Sequence, residues 1–163
     1  MKFISYISEE KPVKDYDSSQ DTLEHIEKVK EFCSKAIILF EKQYEKHDNT
    51  KLIEPEKEYF DIYTPKLKNC VFGSDEYKSY LKELKVALDH HYNTHRHHPE
   101  HFENGIKDMN LLDLLEMLCD WIASTKRMKD GDPIASVDKN QERFGYSDEI
   151  AQIFKNTINL LNN

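Results

Sequence analysis

The chain has 163 residues and carries 31 Asp and Glu against 23 Lys and Arg, a formal net charge of −8. This acidic balance argues against a nucleic-acid backbone as the main partner, because binding to that backbone needs a basic face. No apolar run approaches the roughly 20 residues that span a bilayer, so we expect no membrane insertion. The length is typical of one domain, and we expect residues 1–163 to form a single domain.

The three cysteines, Cys33, Cys70 and Cys119, are widely spaced in the sequence. An odd number at such spacing predicts reduced thiols and a cytoplasmic location. Cys33 and Cys119 fall on apolar stripes of predicted helices. No CxxC pair occurs, which argues against a thiolate-rich zinc site.

The first half of the chain predicts helices. Glycine is scarce, with four residues, and alternating strand patterns are nearly absent. Residues 1–17 predict an irregular arm, and a first long helix is expected from Ser18 or Ser19 to about His47, ended or bent at Asp48-Asn49-Thr50. Its apolar residues recur at helical spacing, and His47 continues this stripe: Ile26, Val29, Cys33, Ala36, Ile37, Phe40 and Tyr44.

A short second helix is predicted over 54–63, with Pro55 in its first turn, and a connection over 65–74. Ser74 is a good N-cap for a third helix. We expect that helix to end at His98, because Pro99 disfavours helical geometry at the preceding residue. Its inward stripe changes from leucine to histidine along the chain: Tyr77, Leu81, Leu84, Leu88, His91, His95 and His98.

A fourth helix over 110–127 is apolar almost all round and is therefore predicted to be buried. Leu112, Leu115, Cys119 and Ile122 are expected to point inward. The acids Asp113, Glu116 and Asp120 line one side of this helix at i, i+3 and i+7, so they need buried partners. Two further helices are predicted, over 134–143 and from Ser147 to about Leu161.

Six of the eight histidines lie between His90 and His101. His91 and His95 are four residues apart, so on a helix both rings point the same way and can share a metal ion. The alternative is a solvated helix end, where positive charge meets the helix dipole favourably. The replacement of leucines by histidines on the core-facing stripe favours the metal site.

Two more histidines lie upstream. His47-Asp48 places an imidazole nitrogen beside a carboxylate, which can bridge two cations. His25 lies at the edge of the first helix, and no Gly or Pro separates it from His47. If the helix is continuous, the two are about 33 Å apart at 1.5 Å per residue and cannot share one ion.

The order of these residues resembles the H…HD…H…HH…D pattern of HD-domain metal phosphohydrolases. His47-Asp48-Asn49-Thr50-Lys51 is similar to the HDxxK form of the motif, and His97-His98-Pro99-Glu100 loosely resembles the HHE segment of the HD-GYP branch. Across the whole chain, segments such as Asp21–Ile26 and Tyr63–Leu67 resemble a family of small uncharacterised proteins of phages and bacteria, with no assigned activity.

The resemblance implies an all-α, HD-domain-like helical bundle of about five to six helices. It implies hydrolysis of a phosphate ester or anhydride on a small phosphorylated molecule, in particular a nucleotide. One or two divalent ions of Fe, Mn, Ni, Co or Zn would be bound, and the ligand types do not choose among them. The implied ligands are His47, Asp48, His91, His97, His98, Asp120, Glu116 and His25.

The roles of the remaining candidates follow from charge and position. Asp48 and Glu100 are the candidate catalytic residues, with Glu100 managing protons, and Lys51 and Arg96 are the candidate phosphate-binding residues. Two other functions fit the same pattern: a non-enzymatic metal-binding helical protein, such as a phage-type inhibitor or sequestering module, and a di-iron oxygenase on an HD-like scaffold. Association of the chain with copies of itself is compatible with the sequence.

Overall fold

The chain folds into α-helices, as predicted. The computed structural model describes residues 16–71, 74–127 and 131–162, and in these ranges it contains no strand. The irregular arm predicted over 1–17 lies almost wholly outside them. No helix in the described ranges combines the length and apolar character needed to cross a bilayer. The α-helices of these ranges number seven rather than five to six: α1 Ser19–Tyr44, α2 Glu56–Asn69, α3 Asp75–Glu83, α4 Lys85–Thr94, α5 Leu111–Lys126, α6 Pro133–Phe144 and α7 Asp148–Leu161.

The additional helix arises because the predicted third helix is interrupted. Leu84 separates α3 from α4 and keeps a right-handed helical backbone, with φ −72° and ψ −8°. Its N–H donates to the carbonyl of Tyr80 at 2.9 Å, so the interruption is local. The start of α3 is as predicted, since the Ser74 hydroxyl accepts from the N–H of Tyr77 at 3.1 Å. In contrast, α2 continues to Asn69 with Pro65 inside it, where a connection was predicted.

The chain divides into two compact units, one ending at Leu39 and the other beginning at Phe40. The part of α1 in the first unit contains no buried residue. The stripe predicted to face a core is exposed, with Ile26, Val29 and Ile37 at 40%, 46% and 60%. The prediction of a buried stripe is wrong here, because no other helix is described in this unit to cover it. Cys33 is exposed as well.

In the second unit the hydrophobic core lies between α5, α6 and α7. Met117, Leu118 and Ile122 of α5 pack in one cluster with Val137 of α6 and with α7 residues such as Phe154. The inward face of α5 is therefore rotated from the predicted one, leaving Cys119 exposed and Leu112 and Leu115 half-buried. The rotation buries two acids on the same helix, Asp113 and Glu116.

Short 3₁₀ helices lie between several of the α-helices in the described ranges. Asn49–Leu52 follows α1, and Pro99–His101 follows α4. α2 packs against both α4 and the Asn49–Leu52 turn. The start of α5 is fixed by Asn110, whose side chain accepts from the N–H of Asp113, while the Asp113 carboxylate accepts from the N–H of Asn110.

Candidate metal centre

The histidine-rich segment leaves the helix earlier than the sequence predicts. α4 ends at Thr94, and His95 and His98 have extended backbones with ψ 117° and 127°. Only His91 of the predicted histidine stripe therefore lies on the helix. The irregular segment turns its histidines inward, and His95 and His97 are buried together with His91. The prediction that these histidines form a helical stripe is therefore wrong, although the segment does place several imidazole rings in the interior.

Asp48 is held in an unusual backbone conformation. It lies in the turn after α1 with φ 56° and ψ 10°, the left-handed region. Asp and Asn adopt this region more readily than most side chains. Strained backbone of this kind is concentrated at functional sites. The conformation turns both carboxylate oxygens of Asp48 toward imidazole rings.

The first group of candidate ligands consists of Asp48, His91, His97 and His98. Oδ1 of Asp48 lies 3.2 Å from Nε2 of His91 and 3.6 Å from Nε2 of His97. The Nε2 atoms of His91 and His98 are 2.9 Å apart. Two atoms that bind one ion at about 2.1 Å each are separated by roughly 3 to 4 Å. The group therefore offers three imidazoles and a carboxylate at spacings compatible with a metal ion.

The second group consists of His47, Asp48 and Asp120. Nε2 of His47 lies 3.7 Å from Oδ2 of Asp48 and 3.8 Å from Oδ1 of Asp120. These separations are too long for hydrogen bonds but compatible with common ligation. Asp48 belongs to both groups and directs Oδ1 toward the first and Oδ2 toward the second. Its carboxylate is arranged as a bridge between two ligand sets.

Two buried carboxylates orient these histidines from the outside. With Nδ1 of His91 as the donor, Oε2 of Glu56 accepts its hydrogen bond at 2.9 Å, and Oε1 of Glu116 likewise accepts from Nδ1 of His47 at 2.9 Å. In this tautomer the lone pair of each Nε2 points toward Asp48. A carboxylate behind a histidine is the usual arrangement around metal-ligating imidazole. Glu56 and Glu116 also occur in two further groups, Glu56 with His91 and His95, and Glu116 with His47 and His97.

The outer carboxylates are themselves held in place. Nε2 of Gln43 donates to Glu116 at 2.8 Å and to Asp113 at 3.0 Å. With Nδ1 of His90 as donor, the second oxygen of Glu56 accepts at 2.7 Å. Glu56 is fully buried, so these contacts satisfy a charge that would otherwise be costly to bury.

Three buried side-chain atoms in the centre have no hydrogen-bond partner among the described residues. They are Oδ1 of Asp48 and both ring nitrogens of His97, and Nδ1 of His97 lies 3.2 Å from Oε1 of Glu116 without hydrogen-bond geometry. Buried polar atoms are rarely left unpaired, and a bound ion is one explanation for such an exception. Oδ1 and Nε2 belong to the first ligand group, so their lack of partners fits a cation at this position.

The charges around His47 favour its protonated form in the absence of an ion. The nearby carboxylate of Asp120 and the hydrogen bond to Glu116 raise the pKa of His47 to about 10, although burial opposes this. For Asp48, burial raises the pKa, but the contact with His91 and the charge of Lys51 outweigh it, so the pKa is lowered. The pKa of Glu116 is lowered in the same way by its histidine partners.

His95 and His98, in contrast, are kept in the neutral form. Burial, assisted by the neighbouring imidazoles, lowers the pKa of His95 to about 4 and that of His98 to about 2. Neutral imidazole is the form that binds metal ions. His98 is therefore kept in its ligating form, while His47 must lose a proton before it can ligate.

The residues predicted to bind phosphate or transfer protons lie at the edges of the centre. Nζ of Lys51 donates to Oδ2 of Asp48 at 2.6 Å. The guanidinium of Arg96 makes a two-point ion pair with Asp113, at 3.1 and 2.8 Å. Glu100 accepts from Arg143 at 2.6 Å. Their roles stay predictions.

His25 is an exposed residue of α1 in the unit that ends at Leu39. The helix runs without a break from Ser19 to Tyr44, as its periodicity predicts. A break near residue 34, which the motif order would require to bring His25 beside His47, does not occur. The assignment of His25 as a ligand stays a prediction.

Glu56 is the main residue of the centre that the sequence prediction missed. It lies in the acidic run Glu54-Pro55-Glu56-Lys57-Glu58, which looks like a solvated helix start. A signal was present, because Glu56, Phe60 and Tyr63 share one face at i, i+4 and i+7, and both aromatic residues are half-buried. An acid on that face needs a buried partner.

Residues 14–163 match the model of a family described as a family of unknown function, DUF5662. The chain belongs to DUF5662. No curated protein and no solved structure matches it significantly. Membership of DUF5662 confirms the resemblance to an uncharacterised family. It assigns no activity, and the resemblance to HD-domain phosphohydrolases stays a prediction.

Proposed function

We propose that this DUF5662 protein is a metal-dependent phosphohydrolase acting on a small phosphorylated molecule. The observation that carries the proposal is the position of Asp48, whose two oxygens face two different ligand groups. Two-ion sites bridged by a carboxylate are common in enzymes that cleave phosphate esters, where the ions stabilise the attacking and leaving oxygens. The mixed nitrogen and oxygen ligands suit Fe, Mn, Ni, Co or Zn.

A divalent ion held here would polarise a phosphoryl oxygen and lower the pKa of a water molecule. Side chains of the protein would orient the ligands, hold the phosphate and transfer protons. Glu56 and Glu116 fix the tautomer and ring orientation of His91 and His47. Lys51, beside Asp48, places a cation where it can hold a phosphoryl oxygen. Glu100, two residues after His98 in the chain, would accept or donate a proton.

The test uses protein purified without a tag, since a histidine tag would itself bind metal. We expect at least one transition-metal ion per chain and metal-dependent hydrolysis of p-nitrophenyl phosphate. His91→Gln should lose both, because His91 lies in the first ligand group. His101→Gln is the matched control, since His101 belongs to no ligand group among the described residues and its ring contacts the carbonyl of Tyr92 and the ring of Phe102.

Stoichiometric metal without hydrolysis of any phosphate ester would contradict the hydrolase. If that metal is redox-active iron, the second candidate is a di-iron oxygenase, because the bridging carboxylate and imidazoles of this centre also suit iron. A redox-silent ion without turnover would instead favour a non-enzymatic metal-binding protein. Absence of metal after growth in metal-rich medium would contradict all three.

A further inference from the structure

A cavity of about 460 Å³ opens beside the metal centre. Its walls come from α5, from α6 and from the segment between Tyr92 and Glu100. Two candidate ligands line it, His98 of the first group and Asp120 of the second. Its volume is within the range of about 300 to 1,000 Å³ that is typical of small-molecule sites. A molecule in this cavity would therefore reach both ligand groups.

Aromatic rings form one side of the cavity. Tyr92, Trp121 and Phe144 line it, and all three are half-buried, so each leaves part of its ring accessible. The Trp121 and Phe144 rings are parallel to within 2°, with centroids 6.2 Å apart. Accessible aromatic rings provide a stacking surface for a planar ring such as a nucleobase.

Cationic residues of α6 line the same cavity. Arg143 and Lys139 lie one helical turn apart, and Arg143 is paired with Glu100 at 2.6 Å. The amino group of the exposed Lys139 side chain has no ion pair or hydrogen bond with another residue in the described ranges. Its charge is therefore available to an anionic ligand.

The acidic residues on the cavity wall are already engaged. Asp132 accepts from the N–H of Ile134 at 2.8 Å at the start of α6. Glu100 is held by Arg143, and Asp120 lies beside His47. These contacts reduce the repulsion that an anion would meet from the wall.

We propose that this cavity binds a phosphorylated molecule with a planar ring, of about the size of a nucleoside monophosphate. The ring lies against Trp121, and the phosphate lies toward His98, Asp120 and Lys139. This inference rests on the proposed function, because it identifies the substrate class of the same centre. It adds a ring-binding wall and assigns phosphate binding to Lys139.

Trp121 is the chain's single tryptophan, so its fluorescence reports on the cavity directly. The probe is the methylenephosphonate analogue of AMP, whose P–C bond resists hydrolysis, titrated into the full-length metal-loaded protein. We expect a saturable change in fluorescence. Adenosine and inorganic phosphate should each bind at least about tenfold more weakly, because each loses one set of contacts worth about 1.4 kcal/mol or more. Equal affinity for either fragment would overturn the proposal.

The variant is Lys139→Gln, which should weaken binding of the analogue about tenfold while metal content and circular dichroism stay unchanged. Lys126→Gln is the matched control, an exposed lysine of α5 that does not line the cavity. Wild-type affinity in Lys139→Gln would overturn the assignment of the phosphate to Lys139.

The two proposals fail separately. No binding of the analogue, combined with metal-dependent cleavage of p-nitrophenyl phosphate, would overturn the cavity proposal and leave the hydrolase intact. Binding of the analogue without cleavage of any phosphate ester would support the cavity and contradict the hydrolase.

Discussion

Oδ1 of Asp48 lies 3.2 Å from Nε2 of His91, and neither atom points to solvent: the imidazole is buried and Oδ1 has no hydrogen-bond partner in the described part of the chain. Nδ1 of the same ring contacts Glu56. A buried carboxylate oxygen facing the lone pair of an imidazole is unfavourable unless a proton or a cation lies between them. This pair is the strongest structural argument for a metal ion.

The first prediction concerns Asp48. Asp48→Asn should remove most of the bound metal, because the amide lacks the negative charge that both ligand groups share. Asn is preferred to Ala for this test, since it tolerates the positive φ of 56° at this position. Metal content of the tagless protein, measured by plasma mass spectrometry, checks the result.

Asp89→Asn is the control for this change. Asp89 is exposed on α4 and pairs with Lys85 at 2.6 Å. Its loss should leave metal content unchanged, since an exposed ion pair contributes little to stability. Full metal content in Asp48→Asn would rule out Asp48 as the bridge.

The second prediction concerns Glu56, which contacts His91 and lies outside the two ligand groups that share Asp48. Glu56→Gln should weaken metal affinity by about 10- to 100-fold, the usual effect of losing a carboxylate behind a ligating histidine. Competition with a chelating dye measures the affinity. Glu58→Gln, an exposed neighbour on α2, should bind like the wild type. A lower melting temperature with unchanged affinity would mean that Glu56 only stabilises the fold.

Local signals in the sequence were sufficient to predict several helix ends. Ser74 caps α3 as predicted, and α5 and α7 begin directly after Asn110 and Ser147, where these helices were predicted to start, because a helix start is decided by a few neighbouring residues. The end of α4 at Thr94 was missed. There His95 leaves the helix and its Nε2 lies 2.7 Å from the Thr50 hydroxyl, a contact between residues 45 positions apart that local periodicity does not contain.

The candidate centre was predictable to the extent that its residue types are unusual. His47, Asp48 and His91 stood out as polar residues on or beside apolar stripes, and the structure brings them together. Glu56 was missed because one acid in an acidic run carries no such contrast. The apolar stripe of α1 was predicted to be buried but is exposed. Periodicity predicts a face suited to burial without showing that another element covers it.

The third prediction is that the metal-free protein loses stability on acidification. The pKa of His95 and His98 is lowered to about 4 and about 2 in the fold, so below about pH 6.5 the unfolded chain binds more protons than the folded one. Their contribution is present above pH 6.5 and is lost as the pH falls through these values. Urea unfolding of chelator-treated protein at pH 7 and pH 5 checks this.

His98→Gln should reduce the pH dependence, because glutamine does not titrate. His101→Gln, which lies outside the ligand groups, should retain the wild-type dependence. Equal unfolding midpoints of the wild type at pH 7 and pH 5 would contradict the prediction.

The fourth prediction is that metal binding at pH 8 releases a proton from His47. Asp120 and Glu116 raise the pKa of His47 to about 10, so the metal-free protein carries this proton at pH 8. Its stabilising effect on the metal-free fold is complete below pH 6.5 and is lost as the pH rises through 10. Since only neutral imidazole ligates, metal affinity should increase with pH over the same range.

Titration calorimetry in Tris and in HEPES measures this release, because the two buffers take up protons with different enthalpies. The difference between the binding enthalpies in the two buffers gives the number of protons released. The wild type should release about one proton more per chain than His47→Gln, because glutamine has no proton to lose at this position. Equal heats in both buffers for the wild type would contradict the prediction. A release that persists unchanged in His47→Gln would assign the proton to another ligand and remove His47 from the second ligand group.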